Sequence, residues 1–165
     1  MPRFFNTEGP VNCAKHYCLP PLERFNLAEI VTLIAQEKYF LLHAPRQTGK
    51  TSCLLALAEY LNRQGDYLAV YANIEAAQAL REDVAQAMTV IVNDLSRWAS
   101  LVTGNEDVRH VARRVLAETP DAGALGEFLT QWCRLLDKPL VLFLDEVDAL
   151  VGDTLIALLR QLRAG

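Results

Sequence analysis

Short, nearly unbroken runs of apolar residues mark three candidate strands along the chain. They cover residues 39–43, 67–72 and 140–144, and polar or turn-forming residues bound each of them. Runs of this length without polar alternation are typical of strands that are buried on both faces of a parallel sheet. We therefore expect three parallel strands, and the third ends directly before Asp145-Glu146, which we call the acidic pair.

Helical periodicity fills most of the remaining chain. Apolar residues recur at spacings of three and four in residues 27–37, 49–63, 76–101, 106–118, in a segment that begins near 119, and in 154–163. Asn26 is placed to cap the first of these helices, and Gly65 to end the second. The alternation of strands and helices predicts an α/β fold with a mostly parallel sheet.

The helical stretch 76–136 separates the second and third predicted strands and is longer than one crossover needs. It is either a small helical insertion that receives a partner or a signal, or plain packing on the sheet. The sequence leaves both alternatives open.

The first predicted strand leads into Ala44-Pro45-Arg46-Gln47-Thr48-Gly49-Lys50-Thr51, which we call the glycine loop, and a predicted helix follows. Strand, tight loop, Gly-Lys-Thr and helix is the context of a phosphate-binding loop. Backbone N–H groups of residues 47–52 and the positive end of the helix suit a triphosphate. Lys50 adds a point charge for the phosphates, and the Thr51 hydroxyl suits Mg²⁺.

Ala44 stands where the usual pattern, G-x-x-x-x-G-K-[ST], has its first glycine. The alternative interpretation is an ordinary strand-to-helix turn in which Gly49 and Lys50 are incidental. The flanking elements and the acidic pair speak against that alternative.

The acidic pair lies where a ligand of an open α/β sheet binds, beyond the carboxyl end of a strand. We therefore expect Lys50 and Asp145 to meet there. Asp145 fits a residue that holds Mg²⁺, and Glu146 is placed to orient or deprotonate an attacking water. Alternatively, the two carboxylates merely begin a solvated loop.

Together, the glycine loop and the segment VLFLDEVDAL, residues 141–150, resemble the Walker A and Walker B motifs of P-loop ATPases. With Glu146 beside Asp145, the chain resembles the classes of P-loop ATPase that keep a catalytic Glu next to the Walker B Asp. Among these, the chain resembles AAA+ and STAND-type ATPases, especially bacterial AAA-like and archaeal-ATPase-like proteins, from about residue 17 onward. The resemblance implies a P-loop NTPase fold, a three-layer α/β/α arrangement with a mostly parallel sheet, that binds ATP and Mg²⁺.

The resemblance also implies roles for individual residues. Lys50 and Glu146 would be catalytic, and Thr51 and Asp145 would hold Mg²⁺. The nucleotide-binding residues that it implies are Pro45, Arg46, Gln47, Thr48, Gly49, Lys50, Thr51 and Ser52.

Two further roles follow from the same resemblance, each with an alternative. Part of residues 11–19 would pack against adenine, with Tyr17 as a candidate for stacking on the base, unless Tyr17 simply packs on the core. Asn73 matches a polar residue that holds the catalytic Glu inactive until a partner binds. An ordinary turn role for Asn73 is the alternative.

Composition limits the other classes of function. A net charge of −4 gives no general electrostatic case for binding nucleic acid, and a local patch of Arg109, Arg113 and Arg114 is better explained as a solvated helix face. No apolar run is long enough to span a bilayer, and the N-terminus has no signal-peptide core. We therefore expect a cytoplasmic protein without a membrane partner.

The cysteines at positions 13, 18, 53 and 133 show no C-x-x-C pair. Their spacing predicts neither a metal site nor a disulfide framework. Cys53 and Cys133 lie in helical patterns and are expected to be small buried side chains.

The predicted organisation is an irregular segment over residues 1–25 and a P-loop ATPase core over 26–165. In the families that the chain resembles, two more strands follow Walker B, and one of them carries a sensor residue and lies between the P-loop and Walker B strands. An arginine finger and a helical lid follow as well. The resemblance thus implies a core truncated after Walker B, the N-terminal part of a longer protein. The alternative is a minimal variant whose first and third strands pair directly.

ATP hydrolysis to ADP and phosphate by the complete protein, with Mg²⁺, is the function that the resemblance implies, with little turnover by this chain alone. The alternative is a STAND-like switch in which the helices of 76–136 present a surface for a protein partner or for self-association. A kinase for a small molecule is less favoured, because Glu146 beside Asp145 argues for water as the acceptor.

Overall fold

The computed structural model describes residues 3–7, 12–45, 47–81 and 83–164. The chain divides into two compact units, residues 1–65 and residues 66–165. The glycine loop belongs to the first unit and the acidic pair to the second. The predicted domain boundary at residue 25 stays a prediction.

The first unit begins with an irregular segment and a 3-10 turn, Pro21–Arg24, followed by helix α1, Leu27–Ala35. The Asn26 side chain accepts a hydrogen bond from the Glu29 N–H at 3.2 Å, which confirms the predicted cap. Ile30 and Ile34, one turn apart, are the buried residues of this helix. The amphipathic pattern therefore places α1 with one face against the unit's interior.

Helix α2 is Lys50–Gln64, as the periodicity predicted to within one residue. It begins after Gly49 and ends at Gly65, and both glycines have positive φ, 83° and 88°. The Gly65 N–H donates to the Leu61 carbonyl at 3.2 Å and closes the last turn. The buried side chains of α2 are Cys53, Leu54, Leu57, Ala58 and Leu61.

The prediction of a first strand is wrong, because residues 39–43 form no strand in the described part of the chain. Tyr39 and Leu41 are 74% and 84% exposed. A strand needs a neighbour whose backbone completes its hydrogen-bond ladder. An apolar run supplies the composition of a strand, but it cannot supply that neighbour.

The second unit contains a parallel sheet of two strands among the residues that the structure describes, β1, Leu68–Asn73, and β2, Leu140–Asp145. The pairing runs without a bulge from Leu68 opposite Leu140 to Asn73 opposite Asp145. The two later strand predictions and the mixed α/β fold with a parallel sheet are therefore confirmed.

Four helices accompany this sheet: α3, Val84–Thr103, α4, Asp107–Glu118, α5, Asp121–Cys133, and α6, Gly152–Ala164. They confirm the helical predictions with one correction. The periodic run predicted over 76–101 is divided into a 3-10 turn, Glu75–Leu80, and α3. The Asp83 side chain accepts from the Gln86 N–H at 3.0 Å, so a new helix begins there.

One apolar cluster joins α3, α4 and α5 to β1. Its largest fully buried side chains include Met88, Ile91, Leu95, Leu125, Phe128 and Trp132. The Phe128 and Trp132 rings stack with centroids 5.6 Å apart. The helical stretch between the strands therefore supplies most of the core that supports the sheet.

The cysteines depart from expectation. Cys13 and Cys18 form a disulfide, although no disulfide framework was predicted. Between them lies a turn in which the Lys15 and His16 N–H groups donate to the Asn12 carbonyl, and spacing alone does not show this. Cys53 is buried as predicted, whereas Cys133 is exposed because it lies at the end of α5.

Among the described residues, no helix combines the length and apolar character needed to cross a membrane.

Candidate functional site

The glycine loop closes on itself through two side-chain hydrogen bonds. The Thr48 hydroxyl donates to the Pro45 carbonyl at 2.7 Å, and the Lys50 ammonium group donates to the Ala44 carbonyl at 3.2 Å. Gln47 and Gly49 have φ of 60° and 83°, so the backbone reverses direction within the loop. The Lys50 side chain therefore reaches back from the first turn of α2 to the beginning of the loop.

The first turn of α2 follows directly, with Lys50, Thr51 and Ser52 as its opening residues. The start of a helix carries N–H groups that lack carbonyl partners within the helix, and the positive end of its dipole. The predicted phosphate-binding segment therefore lies at the start of a helix, and anion binding there stays a prediction. Arg46, which was also predicted to bind nucleotide, lies outside the described residues.

Arg24 lies against this loop, a neighbour that sequence reasoning missed. A Cβ atom built on Gly49 would lie only 2.6 Å from Arg24 Nη1. The positive φ of Gly49 favours glycine, and a larger side chain there would also require the Arg24 guanidinium to move. Arg24 ends a 3-10 turn rather than belonging to a recognisable motif, so only the fold brings this second cation to the loop.

Cys53, one helical turn after Gly49, lies beside the same 3-10 turn. Its thiol donates to the Pro21 carbonyl at 3.4 Å. Burial raises the pKa of the Cys53 thiol, and the nearby Arg24 guanidinium opposes that rise. The thiol is therefore a buried neutral group that ties α2 to the turn carrying Arg24.

A cavity of about 530 Å³ opens between this turn and α2. Its lining comprises Cys13, Pro20, Pro21, Leu22, Glu23, Ser52, Leu55, Ala56, Glu59 and Arg63. Ser52 connects the cavity to the end of the glycine loop. Tyr17, the predicted stacking residue, packs on Phe5 with ring centroids 4.8 Å apart and is 56% exposed, and its stacking on a base stays a prediction.

In the second unit, Asp145 is the last residue of β2 and is 5% exposed. Its Oδ2 accepts a hydrogen bond from the Tyr71 hydroxyl at 3.1 Å, and its Oδ1 accepts from the Glu146 N–H at 3.1 Å. Donors from two segments thus orient this buried carboxylate. Tyr71 is a second neighbour that no sequence motif indicated.

Glu146 takes a left-handed backbone conformation, with φ of 61°. Such a conformation is uncommon for a residue other than glycine and costs free energy that the surroundings must supply. It turns the chain sharply away from β2 directly after Asp145. The half-buried Glu146 residue therefore lies at the carboxyl end of the sheet.

Asn73 lies opposite Asp145 in the strand register. Its side-chain oxygen accepts from the Glu75 N–H at 2.8 Å, which is the ordinary turn role that its residue type favours. A switching bond from Asn73 to Glu146 stays a prediction.

The predicted Mg²⁺ ligands, Thr51 and Asp145, belong to different units, so their meeting also stays a prediction. Their chemistry fits the ion, because Mg²⁺ prefers hydroxyl and carboxylate oxygens and keeps several waters. A carboxylate offers about four acceptor positions, so the bonds from Tyr71 and Glu146 do not by themselves exclude a metal. Within the described ranges, no cluster of three or more His, Cys, Asp or Glu side chains could hold an ion.

Comparison with known proteins gives one family. Residues 40–163 match the family described as "ATPase family associated with various cellular activities (AAA)". Neither a curated protein nor a solved structure matches the chain. The matched range contains the whole glycine loop and the whole acidic pair. Nucleotide binding and ATPase-type activity are the general properties of that family.

Proposed function

The chain belongs to the AAA family of ATPases, and on that premise we propose that it binds MgATP and, with little turnover by this chain alone, hydrolyses ATP to ADP and phosphate. The observation that carries the proposal is the closed glycine loop, in which Lys50 bonds to the Ala44 carbonyl at the start of α2. A phosphate that replaces this carbonyl as the acceptor would carry a full negative charge opposite the ammonium group, so both partners of the bond would be ionised.

In the proposed reaction, the backbone of residues 45–52 and the Lys50 ammonium group hold the phosphates. Thr51 and Asp145 would hold Mg²⁺, and the chemistry that the ion would supply when bound is positive charge beside the phosphates. Glu146 accepts a proton from the attacking water or orients it. Positioning and electrostatics carry phosphoryl transfer, and these groups supply both.

We assign the base of the nucleotide to the cavity between the 3-10 turn and α2. Its volume, about 530 Å³, suits a small ligand. Ser52 lines it and also ends the phosphate-binding segment, so one nucleotide reaches both places. The Pro21 and Leu22 side chains give the apolar contact that a base requires.

Calorimetric titration of the chain with MgATP tests the binding step. We expect micromolar affinity in the wild type and its loss in Lys50→Ala. Lys38→Ala is the matched control, since Lys38 is an exposed lysine in the same unit. A folded wild-type chain that binds no MgATP, or a Lys50→Ala variant that binds as well as the wild type, would contradict the proposal.

Glu146→Gln tests the hydrolytic step. We expect the variant to retain MgATP and to lose phosphate release, because the amide cannot accept the proton. Asp148→Asn is the control, since Asp148 is an exposed acid in the turn that follows. Equal phosphate release by Glu146→Gln and wild type would remove Glu146 from the mechanism.

A second candidate is a nucleotide-dependent switch of STAND type, in which ATP is a conformational ligand for a protein partner or self-association. The supporting observation is the core shared by α3, α4, α5 and β1, because β1 carries Asn73 opposite Asp145. A change at the carboxyl end of the sheet would thus act directly on the helical layer. Stable retention of ATP by the wild type, with phosphate release no faster than that of Glu146→Gln, favours this candidate over the first.

A further inference from the structure

The Tyr71 hydroxyl is buried beside the carboxylate to which the proposed function assigns a metal. Tyr71 lies in β1 opposite Phe143 of β2, two residues before the end of the pairing at Asp145. Residues i and i+2 of a strand share a face, so Tyr71 and Asp145 lie diagonally on the same face of the sheet. The side chain spans this diagonal, and its hydroxyl donates to Asp145 Oδ2 at 3.1 Å.

Tyr71 is itself held in place. The residue is 8% exposed, and its ring meets Trp98 of α3 edge to face, with centroids 6.1 Å apart. The Arg97 guanidinium in turn lies over the Trp98 ring, 5.6 Å from the ring centre. The position of the hydroxyl is therefore determined by the packing of α3 on β1.

The other oxygen of Asp145 connects to the second residue of the acidic pair. Asp145 Oδ1 accepts from the Glu146 N–H, and Glu146 has the left-handed conformation that begins the following turn. A rotation of the Asp145 carboxylate would break this bond as well. Tyr71 thus helps to fix Asp145 and, through it, the backbone of Glu146.

We propose that Tyr71 is a positioning residue that pre-orients Asp145 for Mg²⁺, an inference that rests on the proposed function. Partners that hydrogen-bond to a metal ligand fix its orientation, and their loss commonly costs 10–100-fold in metal affinity. Tyr71 contacts neither nucleotide nor metal in this scheme. It acts only through the direction in which it holds the carboxylate.

The test separates the metal-dependent part of nucleotide affinity from the rest. The dissociation constant of a non-hydrolysable ATP analogue is measured by calorimetry in Mg²⁺ and in EDTA. For Tyr71→Phe we expect the gain in affinity due to Mg²⁺ to fall by roughly 10-fold or more, with the affinity in EDTA unchanged. Tyr67→Phe is the matched control, because it removes a hydroxyl just before β1. Thermal denaturation of both variants shows that they fold.

A double-mutant cycle with Asp145→Asn assigns the effect to the Tyr71–Asp145 pair. If Tyr71 acts through Asp145, Tyr71→Phe has no further effect on Mg²⁺ dependence in the Asp145→Asn background. An unchanged Mg²⁺ gain in Tyr71→Phe overturns the inference and leaves the proposed function intact. Equal losses in Mg²⁺ and in EDTA also overturn it, since they indicate a general disturbance. A folded wild-type chain that binds no analogue overturns the proposed function itself, and this inference with it.

Discussion

Gly49 and Gly65 flank the same helix in nearly the same backbone conformation, but they differ in what surrounds them. Their φ values are 83° and 88°, and an alanine in this left-handed region costs roughly 1–2 kcal/mol. A Cβ at Gly65 would meet no atom within 4 Å, whereas one at Gly49 would lie 2.6 Å from Arg24 Nη1. We therefore expect Gly65→Ala to lower the free energy of unfolding by the backbone cost alone.

Gly49→Ala should cost more, because the Arg24 side chain must also move. The obstructing atom ends a flexible side chain, so the extra cost is that of a strained rotamer, about 0.5–1.5 kcal/mol. The assay is urea denaturation followed by circular dichroism, for both variants alone and in an Arg24→Ala background. The excess at Gly49 should vanish in that background while the loss at Gly65 remains. Equal losses at the two glycines, or an excess that survives without Arg24, would refute the reasoning.

Three further predictions concern the cavity, the hydrogen bond between Ser100 and Glu106, and the core. Ala56→Phe fills part of the cavity beside α2, so it should weaken the binding of ATP but not of inorganic tripolyphosphate, as competition calorimetry would show; equal weakening of both would place the base elsewhere. The Ser100 hydroxyl donates to the Glu106 carboxylate at 2.6 Å and, ahead of the smaller effect of Arg109, holds the pKa of Glu106 below its usual range. A lowered pKa means that this bond stabilises the fold above the unfolded-state pKa, and that the stabilisation is lost as the pH falls through the folded-state pKa. Ser100→Ala should therefore raise the pKa of Glu106 in an NMR titration, and an unchanged pKa would contradict the assignment. Trp132→Ala should lower the free energy of unfolding by about 3–5 kcal/mol, because Trp132 is fully buried, whereas Leu101→Ala, at an exposed site, should change it by less than about 0.5 kcal/mol; similar losses at both positions would contradict the described core.

The elements that local sequence specifies were predictable. The runs ending at Asn73 and Asp145 became strands because each is apolar and finds the other as a neighbour. Asn26 marked the start of a helix because its side chain can cap the first N–H groups, and Gly65 marked the end of one because glycine readily takes positive φ. Both effects are independent of the rest of the fold. The resemblance to P-loop ATPases was visible in the glycine loop and the acidic pair for the same reason, since each motif is contiguous.

Features that depend on distant neighbours were not predictable. Residues 39–43 have a strand's composition, yet pairing depends on a partner that composition does not encode. Arg24 and Tyr71 carry no motif, and their relevance appears only when Gly49 and Asp145 are seen beside them. A hydroxyl that points at a carboxylate from an adjacent strand is a consequence of register, and no spacing within one segment reveals it.

The register of β1 and β2 also has a consequence for how the molecule folds. Tyr71 and Asp145 are 74 positions apart in sequence, and the chain between them forms α3, α4 and α5. Closing so long a loop is entropically costly, so the strands gain by pairing only after the intervening helices have shortened the distance. The hydrogen bond that orients the buried Asp145 carboxylate therefore forms late. A nascent chain whose helical layer has not docked has no organised acidic pair to offer a ligand. In refolding experiments, protection of the Ile74 amide, which bonds to the Asp145 carbonyl, should accordingly trail the formation of helix.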